Sequence, residues 1–381
     1  MEETQIKSVV FLSNYFNHHQ QPFSDKMYNI LGKNYLFVQT EPMETERKDM
    51  GWEIDEYPEY VVTEQNLKEN IDTYQDIIDN ADAVIIGSAP ERLIENRKKL
   101  NKLIFRYSER PLKKGFELLK YPIRYYKWHK VNPKNKPIYM LCASAYTASD
   151  YAKFGLFKDK CYKWGYFPET KKYENIISLI ENKEKNSIVW VARFINWKHP
   201  EIALNIAKRL KNEGYNFCIK MIGNGKMLEE ISQAVTNENL TDCVKVLGAM
   251  KPEEVRKHME KSEIHLFTSD RQEGWGAVLN ESMNSACVPV ANRQIGSVPF
   301  LINNNENGFM YNTIDDLYQK VKLLLDIPEK RIKMAKNAYK TITEEWNAET
   351  AAQRFIKLAS NLYECKYENG PLSKAKVIKD I

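Results

Sequence analysis

The hydrophobic positions of the chain fall into short β-branched runs separated by longer stretches with apolar residues at helical spacing. In the first half the runs are 8–14 (SVVFLSN), 35–40 (YLFVQT), 82–88 (DAVIIGS), 103–108 (LIFRYS) and 137–144 (PIYMLCAS). Helical patterns fill most of the gaps, for example 65–80 and 90–100. In the second half the runs are 187–194, 217–223, 244–248, 264–269 and 288–292, with helices predicted over 200–213, 226–236, 252–261 and 277–286. Strands that are apolar along their length and alternate with helices predict parallel sheets covered on both faces. The chain therefore reads as α/β, with two doubly wound domains in series over 1–168 and 187–345. The stretch 169–186 is polar and charged and follows Pro168, so it is expected to be a linker. Helical patterns at 329–344 and 347–363 close the sequence, and 346–381 is expected as a C-terminal helix and tail.

A length of 381 residues suits two cores better than one. No apolar run approaches the ~18 residues of a membrane span. The acidic start, MEETQIKSVV, is expected not to be a signal peptide. The six cysteines are scattered with no Cys-x-x-Cys pair, which predicts reduced, buried thiols and a cytoplasmic chain. The net charge of +5 is uneven: eleven Lys/Arg stand against two Glu between Lys102 and Lys136. That concentration points to a local anionic partner, and no nucleic acid is expected, because a nucleic-acid binder spreads basic charge along its reading face. Within it, 111–130 interleaves cations with Phe116, Leu118, Leu119, Ile123, Tyr125, Tyr126 and Trp128. Such a segment fits a peripheral contact with an anionic membrane, and equally a helix whose aromatics pack on the sheet.

In open α/β sheets ligands bind beyond the carboxyl ends of the strands. Four features of the second domain fall there. Arg193 ends a strand, and Lys198 precedes His199-Pro200, where the proline marks a helix start. Two cations so placed can reach one anion, Arg as a fork and Lys as a point charge. Gly223-Asn224-Gly225 joins a strand to a helix, and Leu228 stands where a dinucleotide fingerprint needs a further glycine. In 270–282 (DRQEGWGAVLNES) Glu273 precedes Gly274-Trp275-Gly276, and a helix beginning near Gly276 or Ala277 carries Glu281 on its second turn. A helix start offers free N–H groups to an anion. Gly296-Ser297 then leads from a strand into a helix. Taken singly, each feature is also what a solvated cation pair, a tight turn or a surface glutamate looks like.

Together, Arg193…Lys198, Gly223-Asn224-Gly225, TSDRQEGWGAVLNESM with two glutamates eight positions apart, and GSVPFLI resemble the nucleotide-sugar half of a glycosyltransferase family 4 enzyme. These are retaining glycosyltransferases of the GT-B fold. The resemblance covers about 187–365; the first domain matches only in strand order. Two positions depart from the family pattern: Phe300 where a glutamate is usual, and Ala286 where a glycine is usual. The resemblance implies two Rossmann-like domains facing across a cleft, with a C-terminal helix returning to the first. It implies that Arg193 and Lys198 bind the donor diphosphate, Glu281 the ribose and Glu273 the donor sugar. Gly274, Trp275, Gly276 and Ala277 would border the sugar and diphosphate, with Gly223, Asn224 and Gly225 beside them and Met250 bordering the base. The implied reaction is transfer of a hexose from a UDP- or GDP-linked donor to a glycan or lipid-linked acceptor, in cell-surface polysaccharide synthesis at the inner face of the membrane. No metal or cofactor is expected, since two cations face the diphosphate and no Asp-x-Asp is present. A sugar-nucleotide epimerase of the same fold, and a non-catalytic membrane-surface or glycan-binding module, are the alternatives.

In the first domain His18 and His19 follow the first strand, where family members often have glycines. They suit acceptor binding or general-base work near neutral pH, or a structural loop hydrogen bond; no further Cys/His cluster suggests zinc. Glu109 and Arg110 follow the 103–108 strand and are expected either at the cleft or as an ion-paired loop.

Overall fold

The computed structural model describes residues 5–44, 54, 56–362 and 364–378; residues 1–4 of the acidic start and 379–381 of the tail lie outside them. The chain forms two compact units, residues 1–169 with 347–381 and residues 170–346. Among the described residues unit 1 holds seven strands: β1 (Val9–Ser13), β2 (Tyr35–Gln39), β3 (Val61–Val62), β4 (Ala83–Ile86), β5 (Leu103–Ser108), β6 (Ile138–Cys142) and β7 (Cys161–Lys163). Their order is β3-β2-β1-β4-β5-β6-β7. Unit 2 holds β8 (Ser187–Val191), β9 (Cys218–Ile222), β10 (Val244–Gly248), β11 (Ile264–Phe267), β12 (Val288–Asn292) and β13 (Phe309–Tyr311), in the order β10-β9-β8-β11-β12-β13. All pairings between these strands are parallel. Central strands such as β1 and β4 are buried at every position, as sheets covered on both faces require. The architecture is the expected pair of Rossmann-like sheets.

Four differences from the sequence pattern have local causes. β3, β7 and β13 are two or three residues long, too short to show a period. The helix expected over 65–80 is two, Glu64–Glu69 and Ile71–Asn80, broken at Asn70. The helix expected over 277–286 is Val278–Asn284, because Ala286 turns into left-handed backbone at φ 55°. The stretch expected as a linker carries a helix, Ile176–Glu181, capped by the Asn175 side chain on the Ser178 amide at 3.0 Å. It also carries Lys183, whose buried ammonium donates to the carbonyls of Met259, Glu260, Ser262 and Ser285 at 2.7–3.1 Å. A cation suits such a cluster of outward-pointing helix-end carbonyls.

The C-terminal helix, Ala348–Ser360, belongs to unit 1. Phe355 packs against Phe23, Phe105 and Trp164 with ring centroids 5.0–6.4 Å apart, and Glu349 pairs with Lys26 at 2.8 Å. In the basic segment the helix Tyr121–Val131 divides its apolar residues. Tyr121 and Trp128 pack on Phe154, whereas Leu118, Leu119, Ile123 and Tyr126 are 76, 93, 59 and 68% exposed. Among the described residues no helix is long and apolar enough to cross a membrane. The six cysteines are free thiols, four of them buried.

Candidate functional site

In unit 2 the sheet grows one way from β8, to β9 and β10, and the other way from β11, to β12 and β13. Loops leaving β8 and β11 at their carboxyl ends therefore diverge, opening a crevice at that point of the sheet. Arg193 and Lys198 stand on the first loop and Glu273 on the second. Lys198 and Glu273 form an ion pair, although each side chain is nearly buried, with residue exposures of 9 and 8%. Ser269 Oγ donates to the same Glu273 oxygen at 2.9 Å. The backbone beneath is fixed by a short chain: Trp190 Nε1 donates to Thr268 Oγ1 at 2.8 Å, which donates to the Lys198 carbonyl at 2.6 Å. Arg193 and Lys198 both lie over the Trp197 ring, 5.7 and 4.3 Å from its centroid. The indole holds both cations together while remaining unable to neutralise them.

The Gly223-Asn224-Gly225 loop is laced to the Arg193 loop. Phe194 N donates to the Asn224 carbonyl at 2.8 Å, and Met227 N to the Phe194 carbonyl at 2.9 Å. Gly223 and Gly225 have φ of 143° and 150°, and a Cβ on them would lie 1.9 Å from the Ala192 oxygen and 2.4 Å from the Phe194 oxygen. These glycines are thus required by a neighbouring backbone, a reason that the sequence reading did not contain. Asn224 itself is exposed, its Oδ1 accepting from the Gly225 amide at 2.8 Å.

The loop after β11 is equally constrained. Gly276 has φ 82°, and a Cβ there would meet the Phe267 ring at 2.4 Å. Gly296 N reaches the Glu273 carbonyl at 3.4 Å, tying the Gly296-Ser297 loop to this one. Trp275 was expected among the donor contacts, and its side chain corrects that: it is 0% exposed, with Nε1 donating to Asn280 Oδ1 at 2.9 Å and the ring beside Trp346. Of residues 274–276 only Gly276 is part-exposed. Phe300, the departure from the family glutamate, stacks on Trp346 at 5.9 Å. Ala277 precedes the helix Val278–Asn284. Glu281 stands in the first turn of that helix, one turn earlier than expected, and is half-buried. Burial pushes its carboxyl above the usual range, with the charge of Arg256 pulling the other way. Met250 packs with Val278 against a small buried cluster around Val189 and Met259, which sets the loop after β10 beside this helix.

In unit 1 three of the four expected residues come together. His18 and His19 lie side by side with ring centroids 3.9 Å apart, and His19 stacks on Tyr166 at 5.7 Å. Tyr166 donates to Glu109 at 2.7 Å, and Glu109 also pairs with Lys113. Burial holds His18 below its usual value, so it is neutral at neutral pH. Arg110 is the exception. It is 2% exposed, forks onto Asp150 at 3.1 and 3.3 Å and lies over the Tyr146 ring at 4.6 Å. It is a structural ion pair, not a ligand contact.

The sequence reading missed Ser269, Trp197 and Tyr166. Ser269 and Trp197 had a signal: a hydroxyl four positions before Glu273, and an aromatic beside Lys198. Tyr166 had none, since it reaches Glu109 from 57 positions away.

Comparison with known proteins gives this arrangement relatives. Residues 172–341 match the family described as glycosyl transferases group 1. The amylovoran biosynthesis glycosyltransferase AmsK of Erwinia amylovora is 29% identical over 128 residues, 32% of this chain and 31% of that protein. The uncharacterized glycosyltransferase MJ1178 of Methanocaldococcus jannaschii is 29% identical over 162 residues, 42% of this chain and 44% of that one. The chain thus spans less than half the length of these curated relatives. Among solved structures, Anabaena Alr3699/HepE in complex with UDP and glucose matches with a TM-score of 0.65 at 14% identity, over 93% of this chain and 100% of that one. At that identity the likeness concerns the fold, which is GT-B. The family match and the named relatives support a glycosyltransferase.

Proposed function

We propose that the protein is a retaining glycosyltransferase moving a hexose from a UDP- or GDP-linked donor to a glycan or lipid-linked acceptor in cell-surface polysaccharide synthesis. The observation that carries this reading is the buried Lys198–Glu273 pair, with Arg193 over the same indole as Lys198, where the sheet of unit 2 diverges between β8 and β11. As the bond to the sugar breaks, negative charge grows on the departing diphosphate. Arg193 and Lys198 stabilise that charge more in the transition state than in the ground state. Glu273, beside Lys198, then favours positive charge at the anomeric carbon. Glu281 takes the ribose hydroxyls, the 274–276 backbone the sugar, and Met250 the edge of the base. The reaction then proceeds without a metal. His18, His19, Tyr166 and Glu109 form the acceptor side, with neutral His18 able to take the acceptor proton. The exposed apolar and basic side chains of 111–130 hold unit 1 at an anionic membrane, where each basic residue contributes about 1 kcal/mol.

Incubation with UDP- and GDP-sugars, following nucleotide release with and without a chelator, tests the reading. Full turnover in both Lys198→Ala and Glu273→Ala would sink the site assignment. The anomeric configuration of the product, read by NMR, tests retention. Conversion of donor without acceptor would mark an epimerase instead. Binding to anionic vesicles without any sugar turnover would favour a non-catalytic surface module, which the exposed face of 111–130 equally suits.

A further inference from the structure

Unit 1 contains a cavity of about 730 Å3 bounded by the helix Thr147–Ala152, the 155–159 loop, β7 and the chain at 374–377. A smaller one, about 190 Å3, shares Lys134, Gly155, Leu156, Phe157 and Lys158 with it and extends to Asn132 and Pro133. They are one groove, running from the end of the helix Tyr121–Val131 to the C-terminal tail. The volume lies within the ~300–1,000 Å3 of small-molecule sites.

Its two kinds of wall are segregated. The floor is Ala148, Ala152, Leu156, Phe157 and Cys161, all buried except Ala152, with exposed Val377 at the mouth. The rim carries Lys134, Lys158, Lys374 and Lys376 against the single carboxylate Asp159. Lys374 is committed: its ammonium donates to the Asp159 carbonyl at 2.7 Å and lies over the Tyr162 ring at 4.0 Å. Among the described residues no carboxylate lies within ion-pair distance of Lys134, Lys158 or Lys376. Like charges gathered at one mouth repel until an anion joins them. The floor offers no polar side chain for a base, a ribose or a sugar, and its apolar surface favours hydrocarbon.

We propose that this groove binds an anionic amphiphile as a monomer: an alkyl chain along the Ala152–Phe157 floor, with a terminal phosphate among Lys134, Lys158 and Lys376. None of these residues takes part in the sugar-transfer scheme, so the proposal stands whether or not that scheme holds.

Calorimetric titration of the full chain with octyl, decyl and dodecyl phosphate, each below its micelle concentration, tests it. Binding is expected to tighten about fourfold per added methylene. The Lys134→Glu/Lys158→Glu variant should weaken dodecyl phosphate at least tenfold, and Ala152→Trp should abolish its binding by filling the floor. These positions are exposed, and unchanged thermal midpoints of the unliganded variants check that they fold. Equal affinity for dodecyl maltoside would show that charge plays no part. Equal affinity for inorganic phosphate would show that the chain plays none. Either result, or wild-type affinity in both variants, overturns the proposal.

Discussion

Cutting both halves of the Lys198–Glu273 pair should cost no more than cutting one. With residue exposures of 9 and 8%, each charge has given up most of its water and depends on the other. At an effective dielectric of about 20, unit charges about 4 Å apart attract by ~4 kcal/mol. Desolvation offsets part of this, but removing one partner leaves a stranded charge and destabilises by about 3 kcal/mol. Lys198→Ala leaves Glu273 with only the Ser269 hydroxyl. Glu273→Ala removes the carboxylate that Lys198 pairs with, while Arg193 lies over the same Trp197 ring. The double variant strands nothing, so its cost should match a single one, giving a coupling of about 3 kcal/mol. Urea unfolding followed by tryptophan fluorescence measures this, since Trp190, Trp275 and Trp346 of unit 2 are all buried. Costs that simply add, to within about 0.5 kcal/mol, would refute the reasoning. A nucleotide titration separates the roles: Glu273→Ala keeps the cation and should still bind UDP, whereas Lys198→Ala should lose binding about tenfold or more.

Three further outcomes follow from buried groups. Burial pulls His265 down to about 3 from 6.5, so between those values the unfolded chain takes up a proton that the folded one refuses. Stability should therefore fall with acidification below pH ~6.5, by about 1.4 kcal/mol per unit from this residue. His265→Gln should flatten the profile relative to wild type; parallel profiles would remove His265 as the cause. Lys183→Met should destabilise unit 2 by about 3 kcal/mol by depriving four carbonyls of their cation, while Lys185→Met, two residues on and exposed, should stay within about 0.5 kcal/mol. Gly223→Ala should abolish soluble folding or lower the thermal midpoint sharply, because of the 1.9 Å approach to the Ala192 oxygen. Gly214→Ala, with φ 80° and open space around it, should cost only about 1 kcal/mol of backbone strain.

The sheets were legible because parallel strands covered on both faces are apolar along their length, and β1 and β4 carry that pattern without interruption. That Arg193, Lys198 and Glu273 stand on loops at strand ends was legible because each follows such an apolar run. What escaped depends on partners distant in the chain. Nothing local distinguishes Arg110, locked onto Asp150, from Glu109 beside it. Nothing local reveals that Trp275 points into an aromatic cluster with Trp346. Lys183 lay in a stretch whose polarity read as linker, and polarity is equally what a lysine seated among carbonyls looks like. Ala286 was visible as a departure from a family glycine, and the left-handed backbone there supplies the physical meaning of that glycine.

Unit 2 is continuous in the chain, whereas unit 1 is interrupted by it and completed by residues 347–378. A chain made from its N-terminus can therefore finish unit 2 before unit 1. Until the helix Ala348–Ser360 leaves the ribosome, Phe23, Phe105 and Trp164 lack the Phe355 ring that covers them. The half of the protein synthesised first is the half that closes last, and during that interval its uncovered aromatic face is where a chaperone would be needed.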